Sequence, residues 1–321
     1  MSDFDFRLSL CRELSLTEKE VARLIFRAPY TYKVYSIPKK SGGRRVIAQP
    51  ARETKLLQGF LIEHLFRDLP VHDCATAYKI GASIALNASR HAGNSYISKF
   101  DFSNFFPSIS SLDVVRHIKN NLGDRLSEKD IADVARVCCI KDKVIDRLYL
   151  SVGAPSSPIL SNSVMYFFDS EVQRWSSERG IVYTRYADDM TFSTNERMMF
   201  LEIEPFLERV VKALDYPRLL INHEKTVHVS KKCQRKVTGL LISSEGKVSL
   251  GRDRKREISS LIHRFTLGQL DPADIFRLQG LFGFANDAEP EFIVRMKLKY
   301  GEGVVSAIFE KRKPPSVISK K

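Results

Sequence analysis

The sequence predicts an α+β fold in which helices and antiparallel strands occur in one chain. Two patterns support this. Apolar residues three and four positions apart, such as Val21, Leu24 and Ile25, recur between short β-branched and aromatic runs such as IVYTRYA at 181–187. No repeat or low-complexity segment interrupts them. With 321 residues, of which 43% are hydrophobic, the chain is long enough to bury a large core, and we expect two or three subdomains.

The N-terminal third predicts a helix, a hairpin and a second helix. Thr17 begins a T-x-x-E capping box, and Pro29 is expected to end the helix that follows. The stretch YKVYSIPKKSGGRRVIAQP at 32–50 predicts two strands joined by a Gly-Gly turn. Apolar spacing from Leu56 onward predicts the next helix, which Pro70 would end.

The middle of the chain predicts a strand at 95–105, helices within 111–150 and one long helix at 157–180. IVYTRYA and MTFST then predict two strands, with Ala187-Asp188-Asp189 at the tip between them. From about residue 205 a helix, strands and further helices are expected, followed by a basic tail.

The charge balance favours a polyanionic partner. Lys and Arg number 51 against 38 Asp and Glu, a formal net charge of +13, which suggests nucleic acid ahead of an acidic membrane surface. No stretch reaches the roughly 18 apolar residues of a membrane span, and the N-terminus carries acids where a signal peptide carries bases. The five cysteines show no C-x-x-C spacing. We expect a cytoplasmic protein with reduced thiols, no zinc site and no membrane association.

Three acidic residues are the candidate catalytic groups. Asp188 and Asp189 lie between two predicted strands, and Asp101 follows the apolar run YISKF. Two solvated acids at a turn would cost little, so the pair alone is ambiguous. Three carboxylates converging on one sheet edge repel each other unless hard divalent cations lie between them. The sequence therefore predicts a Mg²⁺ site suited to phosphoryl transfer. Two ions about 4 Å apart would activate the attacking hydroxyl and stabilise the departing pyrophosphate oxygen.

Two segments could bind phosphate. KKSGGRR at 39–45 places four basic side chains around a turn, and GAPSSP at 153–158 places small residues before a helix. A solvated hairpin tip and an ordinary helix start are the alternatives.

A third segment, 229–264, holds ten Lys or Arg and three acids. It predicts a helix with a basic start and an apolar face. A solvated surface is the default interpretation, and contact with nucleic-acid phosphates is the alternative that we favour.

Several motifs occur together in the order found in one enzyme family. FDFSNFFPS, GAPSSPILSN, YTRYADD, NHEKT and KVTGLLIS resemble the palm of a reverse transcriptase. NASRH at 87–91 and VTG at 237–239 are similar to two elements that mark bacterial retron reverse transcriptases. The similarity runs from about residue 30 to 265.

The resemblance implies a right-hand polymerase of fingers, palm and small helical thumb. N-terminal helices and fingers would occupy 1–94, the palm with finger insertions 95–228, and the palm-thumb junction, RNA-binding thumb and basic tail 229–321.

The resemblance also implies roles for single residues. The catalytic residues and ligands of two Mg²⁺ ions would be Asp101, Asp188 and Asp189, with the Phe102 carbonyl as a further ligand. The residues expected at the incoming nucleotide are Lys40, Arg45, Phe106, Gly153 and Lys225. Phe106 would exclude a 2′-hydroxyl, and Lys225 would be a general acid, with a surface lysine as the alternative. Residues of the basic helix expected to bind RNA are Arg252, Arg254, Lys255 and Arg256. Many relatives have glutamine where this chain has Val152.

The implied function is synthesis of branched msDNA from a cognate noncoding RNA, primed from the 2′-hydroxyl of an internal guanosine. Further implied partners are dNTPs, a retron effector protein in anti-phage defence, and a host ribonuclease H. A group II intron or diversity-generating reverse transcriptase would share the palm motifs. An RNA-DNA scaffold that restrains a toxic effector is an alternative from another class.

Overall fold

The computed structural model describes residues 4–39 and 42–311 of the chain. The described residues form two compact units. The first consists of the residues up to Ile80 together with Ser98–His228, and the second consists of Gly81–Ile97 together with the residues from Val229 onward. The segment Gly81–Ile97 therefore groups with the C-terminal part of the chain, across the boundaries predicted from sequence. The assignment of fingers, palm and thumb to 1–94, 95–228 and 229–321 stays a prediction.

Both units contain helices and strands. The helices are α1 (Phe6–Leu14), α2 (Glu18–Arg27), α3 (Arg52–His64), α4 (Ile84–Arg90), α5 (Phe105–Ser108), α6 (Ser111–Leu122), α7 (Glu128–Cys138), α8 (Ser157–Val164), α9 (Tyr166–Ser177), α10 (Phe200–Ala213), α11 (Arg252–Thr266), α12 (Pro272–Ala288), α13 (Pro290–Tyr300) and α14 (Glu302–Glu310). The strands are β1 (Tyr32–Pro38), β2 (Arg44–Pro50), β3 (Tyr96–Asp101), β4 (Ile140–Lys141), β5 (Leu148–Tyr149), β6 (Val182–Tyr186), β7 (Asp189–Thr194), β8 (Val227–Ser230), β9 (Arg235–Val237), β10 (Leu240–Ile242) and β11 (Val248–Ser249).

The strands form four sheets. A four-stranded sheet has the order β6-β7-β3-β8, and β1-β2 and β4-β5 are two-stranded. The three-stranded sheet β11-β10-β9 belongs to the second unit. The order of the four-stranded sheet matters for function, because it brings the end of β3 beside the start of β7.

The helix after Thr17 and the hairpin that follows it were predicted correctly, whereas α1 was not predicted. Thr17 caps α2 with a complete capping box in which Glu20 bonds back to the Thr17 backbone. β1 and β2 pair antiparallel, from Tyr32 with Pro50 to Pro38 with Arg44.

Three local predictions were wrong. Residues 140–149 contain the β4-β5 hairpin, whose two-residue strands are too short for periodicity to reveal. The long helix predicted at 157–180 is two helices separated at Met165. Asp189 is not in the turn but is the first residue of β7, paired with Tyr186, because a two-residue turn matches the twist of the strands best.

Each unit has its own apolar core. In the first, Phe100 and Phe192 of the four-stranded sheet belong to the same buried cluster as Phe168 of α9. In the second, Ile262 of α11 and Phe282 of α12 belong to one cluster. Among the described residues, no helix is long and apolar enough to cross a membrane.

Candidate active site

The three predicted acids lie together because of the sheet order. Asp101 is the last residue of β3 and Asp189 the first of β7, and these strands are neighbours. Asp188 occupies the second position of the two-residue turn between β6 and β7. The first position is Ala187, whose φ of 60° is in the left-handed region. A non-glycine residue there is strained by about 1–3 kcal/mol, as occurs often at functional sites.

The three carboxyls interact electrostatically in a partly buried environment. Asp101 is only 6% exposed, and Asp188 and Asp189 are half-buried. Burial and the negative charge of Asp188 raise the pKa of Asp189 to about 6. A hydrogen bond with the Asp101 carboxyl contributes to the same rise. Burial and the charge of Asp101 likewise raise the pKa of Asp188. Asp188 and Asp189 therefore hold protons more tightly than ordinary carboxyls do, as expected where several acids lie together without enough positive charge.

Lys225 supplies one positive charge to this cluster. Its Nζ donates to Asp101 Oδ1 at 2.7 Å. Burial lowers the pKa of Lys225, but the hydrogen bond to Asp101 and the charges of the three acids outweigh it and raise that pKa above its usual value. The side chain is 53% exposed, so the ammonium faces both the acids and solvent.

The backbone explains how Lys225 reaches the site. The Asn222 N–H donates to the Asp101 carbonyl and the Ser103 N–H donates to the Leu220 carbonyl, so the segment before Lys225 runs beside the end of β3. A 3₁₀ turn at His223–Lys225 then places the lysine next to Asp101.

The donor set fits hard divalent cations, which take carboxylate and carbonyl oxygens. The two backbone hydrogen bonds beside Phe102 use the carbonyls of Asp101 and Leu220, so neither occupies the Phe102 carbonyl. Within the described residues, another group of candidate ligand atoms, all within 4.8 Å of one another, is formed by Glu204, Glu208 and His223.

Positive and polar groups from other segments act on the acids. The positive charge of Arg45 on β2 offsets part of the rise in the pKa of Asp188. The positive charge of Lys99 on β3 likewise offsets part of the rise in the pKa of Asp189. Arg45 is therefore near enough to influence the site, as its predicted role requires. Lys40 lies outside the described residues. Sequence reasoning missed Tyr78, whose pKa is raised by burial and by the charge of Asp188.

The loop that contains Gly153 packs against β2. The Ala48 N–H donates to the Val152 carbonyl at 2.8 Å. Gly153 has a φ of +117°, and a Cβ there would lie 3.0 Å from Ile47 Cγ2 and 3.1 Å from the Ala48 carbonyl oxygen. Glycine is required here by conformation and by close approach to β2. Its contact with a nucleotide stays a prediction.

Phe106 lies on the short helix α5, directly after the strand that carries Asp101. The side chain is half-buried and packs against the core of the first unit. Its ring makes an edge contact with Phe105 at a centroid distance of 5.4 Å. The exposed part of the ring leaves room for a role as sugar gate, which stays a prediction.

Comparison with known proteins shows the family to which the chain belongs. The reverse transcriptase (RNA-dependent DNA polymerase) family matches residues 37–242. The chain is 41% identical to the retron Ec83 reverse transcriptase of Escherichia coli over 86% of this chain and 89% of that one. It is 32% identical to the retron Ec86 reverse transcriptase of Escherichia coli, over 87% and 85% of the two chains. The chain belongs to the retron reverse transcriptases. It is an RNA-directed DNA polymerase with the α+β right-hand polymerase fold that the sequence predicted.

A solved structure of apo telomerase from Candida tropicalis, truncated from the C-terminal domain, is also similar to this chain. The TM-score is 0.46 and the identity 16%, over 69% of this chain and 55% of that one.

The NASRH and VTG segments both lie in the second unit of this reverse transcriptase. NASRH covers the end of α4, and VTG connects β9 to β10. The Thr238 hydroxyl donates to the Ile84 carbonyl at 3.0 Å, and Thr238 has a φ of 46°. His91 is completely buried, and burial lowers its pKa to about 3, so its imidazole is neutral. The contact between Thr238 and the start of α4 was not predicted from sequence.

The basic start of α11 in this enzyme contains two side chains that contact other residues of the protein and two that are exposed. Arg254 stacks on Phe284, with its guanidinium carbon 4.4 Å from the ring centroid. Lys255 Nζ donates to Glu289 at 2.7 Å. Arg252 and Arg256 are exposed. All four were predicted to bind RNA, and the two exposed residues are the better placed for phosphate contacts.

A buried polar network behind the β6-β7 turn was missed from sequence. Arg185 and Asp169 are fully buried and form a two-bond ion pair, with Arg185 Nε 2.8 Å and Nη2 2.5 Å from the Asp169 oxygens. Arg185 Nη1 also donates to the Ala187 carbonyl at 2.9 Å. The available signal was an arginine in an otherwise apolar run, three residues before Asp188.

Proposed function

We propose that this retron reverse transcriptase copies part of a cognate noncoding RNA into branched msDNA, starting from the 2′-hydroxyl of an internal guanosine. The observation that carries the proposal is the group formed by Asp101, Asp188 and Asp189 with Lys225 at its edge. Three carboxyls, of which Asp188 and Asp189 have a raised pKa, lie beside one lysine and form a site suited to divalent cations and a polyphosphate.

The chain's own residues divide the work of nucleotidyl transfer. Asp101, Asp188 and Asp189, with the Phe102 carbonyl, would hold two Mg²⁺ ions. Bound Mg²⁺ supplies Lewis-acid activation of a hydroxyl and charge neutralisation at the departing pyrophosphate.

The other site residues would act on the nucleotide itself. Lys225 carries a proton on Nζ, beside Asp101, and can give it to the pyrophosphate as it leaves. Arg45, with Lys40 from the same hairpin, would bind the triphosphate. Phe106 would select deoxyribose.

The protein's partners follow from this function. The template-primer is the cognate noncoding RNA, bound in part by the exposed arginines of α11, and dNTPs are the substrates. Family resemblance supports a role in anti-phage defence with an effector protein, and template removal by a host ribonuclease H. In the alternative function, the protein is an RNA-DNA scaffold that restrains the effector, and the scaffold would contain the same msDNA product.

Co-expression with the candidate noncoding RNA tests the proposal. Nucleic acid is purified with the protein, treated with ribonuclease and then with an enzyme that cleaves 2′–5′ branches. We expect a short DNA whose mobility shifts on debranching and which is missing for Asp188→Asn. A linear DNA that debranching leaves unchanged would contradict the guanosine 2′-hydroxyl start. RNA bound without any DNA product in the unaltered protein would favour a scaffold role.

A further inference from the structure

The Arg185–Asp169 pair lies directly behind the catalytic turn. Arg185 uses one edge of its guanidinium for Asp169, and its remaining Nη1 donates to Asn162 Oδ1 at 3.1 Å and to the Ala187 carbonyl at 2.9 Å. Asp169 accepts a further hydrogen bond from the Tyr183 hydroxyl at 3.0 Å. Every member of this network is at most 5% exposed.

The backbone of Arg185 is held as firmly as its side chain. In β6 it pairs with Met190 of β7 on one side. On the other side its N–H donates to the Cys74 carbonyl, and its carbonyl accepts from the Thr76 N–H, both at 2.8 Å. Asn162 Nδ2 donates to the Ala77 carbonyl at 2.8 Å, which ties α8 to the same segment. The guanidinium is therefore a fixed donor aimed at the turn.

The turn needs such a donor. Ala187 adopts a left-handed conformation, with φ 60°, that an alanine leaves readily, and the next residue is Asp188. Rotation at Ala187 would redirect the Asp188 carboxylate and the start of β7, where Asp189 lies. A buried ion pair stabilises a fold poorly compared with apolar packing of the same volume, so its presence here calls for another reason.

We propose that the buried Arg185–Asp169 pair is a positioning device that holds Ala187 in its left-handed conformation and so fixes the direction of the Asp188 and Asp189 carboxylates. Asp169 orients the guanidinium, and Nη1 holds the Ala187 carbonyl. Neither residue contacts substrate; both act through the turn. The inference rests on the proposed catalytic role of the two acids.

The test uses a neutral replacement of the whole pair, Arg185→Gln with Asp169→Asn, which leaves no single buried charge behind. Steady-state primer extension on an RNA template is compared with the unaltered enzyme, after circular dichroism confirms that the variant is folded. We expect kcat to fall by about 10- to 100-fold, since small displacements of catalytic groups have effects of this size, and the KM for dNTP to stay within about twofold.

The deciding measurement adds Ala187→Gly to the neutral pair. Glycine adopts the left-handed conformation without strain, so the turn no longer needs the guanidinium to hold it. We expect this change to restore kcat by about fivefold or more. A purely structural pair predicts no such recovery, because glycine adds flexibility and replaces none of the lost packing.

A second readout does not depend on turnover. Terbium luminescence is titrated with the protein alone, using Glu208→Gln in all variants to remove the neighbouring Glu204–Glu208–His223 group. The neutral pair should bind terbium more weakly at the aspartate site than its parent, and Ala187→Gly should recover part of the affinity. The signal that remains in Asp188→Asn is subtracted as background.

A second two-bond Arg–Asp pair of the same unit serves as the control. Arg7 Nε lies 2.6 Å from Asp133 Oδ2 and Nη2 lies 3.1 Å from Oδ1. Its neutral replacement, Arg7→Gln with Asp133→Asn, should leave kcat and terbium affinity unchanged.

Two results would overturn the inference: a folded Arg185→Gln/Asp169→Asn enzyme with unaltered kcat, or a loss of kcat that Ala187→Gly does not reduce. Failure of the proposed catalytic role is recognised separately, because Asp188→Asn would then retain activity.

Discussion

Lys225 Nζ donates a hydrogen bond to Asp101 Oδ1 at 2.7 Å, although 124 positions separate the two residues in the chain. From the sequence, Lys225 was predicted to be a general acid, with an ordinary surface lysine as the alternative. The contact shows that the ammonium belongs to the acid cluster, where the three carboxylates raise its pKa. Lys225 is therefore protonated at neutral pH and close to the proposed chemistry.

Lys225→Gln should lower the rate of single-nucleotide incorporation by about 100-fold, the lower end of the usual contribution of a general acid. Lys225→Arg keeps the charge but donates its proton poorly, so it should recover little of the rate. Rapid-quench kinetics at saturating dNTP measures the chemical step. Lys143→Gln, at an exposed position, is the control. If Lys225→Arg were fully active, charge compensation and not proton donation would explain the contact.

Asp188→Asn and Asp189→Asn should each abolish DNA synthesis and leave RNA affinity within about twofold. Each change removes one ligand charge from the proposed metal site, whereas RNA affinity depends on basic residues elsewhere. Primer extension with Mg²⁺ and a filter-binding assay measure the two properties. Asp146→Asn, at an exposed residue, should change neither. Substantial synthesis by either variant would remove that aspartate from the metal site.

Phe106→Val should increase incorporation of ribonucleotides relative to deoxyribonucleotides by roughly tenfold to a few hundredfold, corresponding to about 1–3 kcal/mol of steric discrimination. The ratio of the two values of kcat/KM measures it. Phe105→Val is the matched control, since Phe105 is buried and contacts Phe106. The control should lower Tm without changing the sugar preference. The same pattern for Phe106→Val would identify Phe106 as packing only.

Arg252→Gln with Arg256→Gln should weaken binding of the cognate RNA and reduce the slope of log affinity against log salt. Each lost phosphate contact should remove about 0.7–0.9 from that slope. Lys255→Gln serves as the contrast, because Lys255 is paired with Glu289 and should affect Tm more than the slope. An unchanged slope for the double variant would mean that the start of α11 does not contact phosphates.

His117 should make the protein less stable in mild acid. It is 4% exposed and bonds to Ser163 Oγ, and burial lowers its pKa to about 4. Below the usual pKa of about 6.5 the unfolded chain takes up a proton that the folded protein does not. The unfolding free energy should therefore decrease as pH falls from about 6.5 to 4, by at most about 3 kcal/mol from this group.

Urea unfolding at several pH values measures this effect, and His117→Asn should reduce the dependence, leaving the part that buried His91 contributes. His263→Asn, at an exposed position, should leave it unchanged. A slope that is undiminished in His117→Asn would assign the acid sensitivity entirely to other groups, of which buried His91 is the first candidate.

Local sequence patterns predicted the elements whose signals are contained in a few neighbouring residues. The capping box at Thr17, the β1-β2 hairpin and the apolar face of α11 are of this kind. The β4-β5 hairpin and the break at Met165 were missed, because neither gives a periodic signal of sufficient length.

The sequence by itself determined the family and the kinds of chemical group available, because the motifs fix residue types at short spacings. Only the tertiary structure decided which groups meet. Lys225 contacts Asp101, Arg185 pairs with Asp169 behind the turn, and Thr238 donates a hydrogen bond to Ile84 of α4. These contacts depend on strand order and helix packing, which join segments far apart in the chain and leave no local pattern in the sequence.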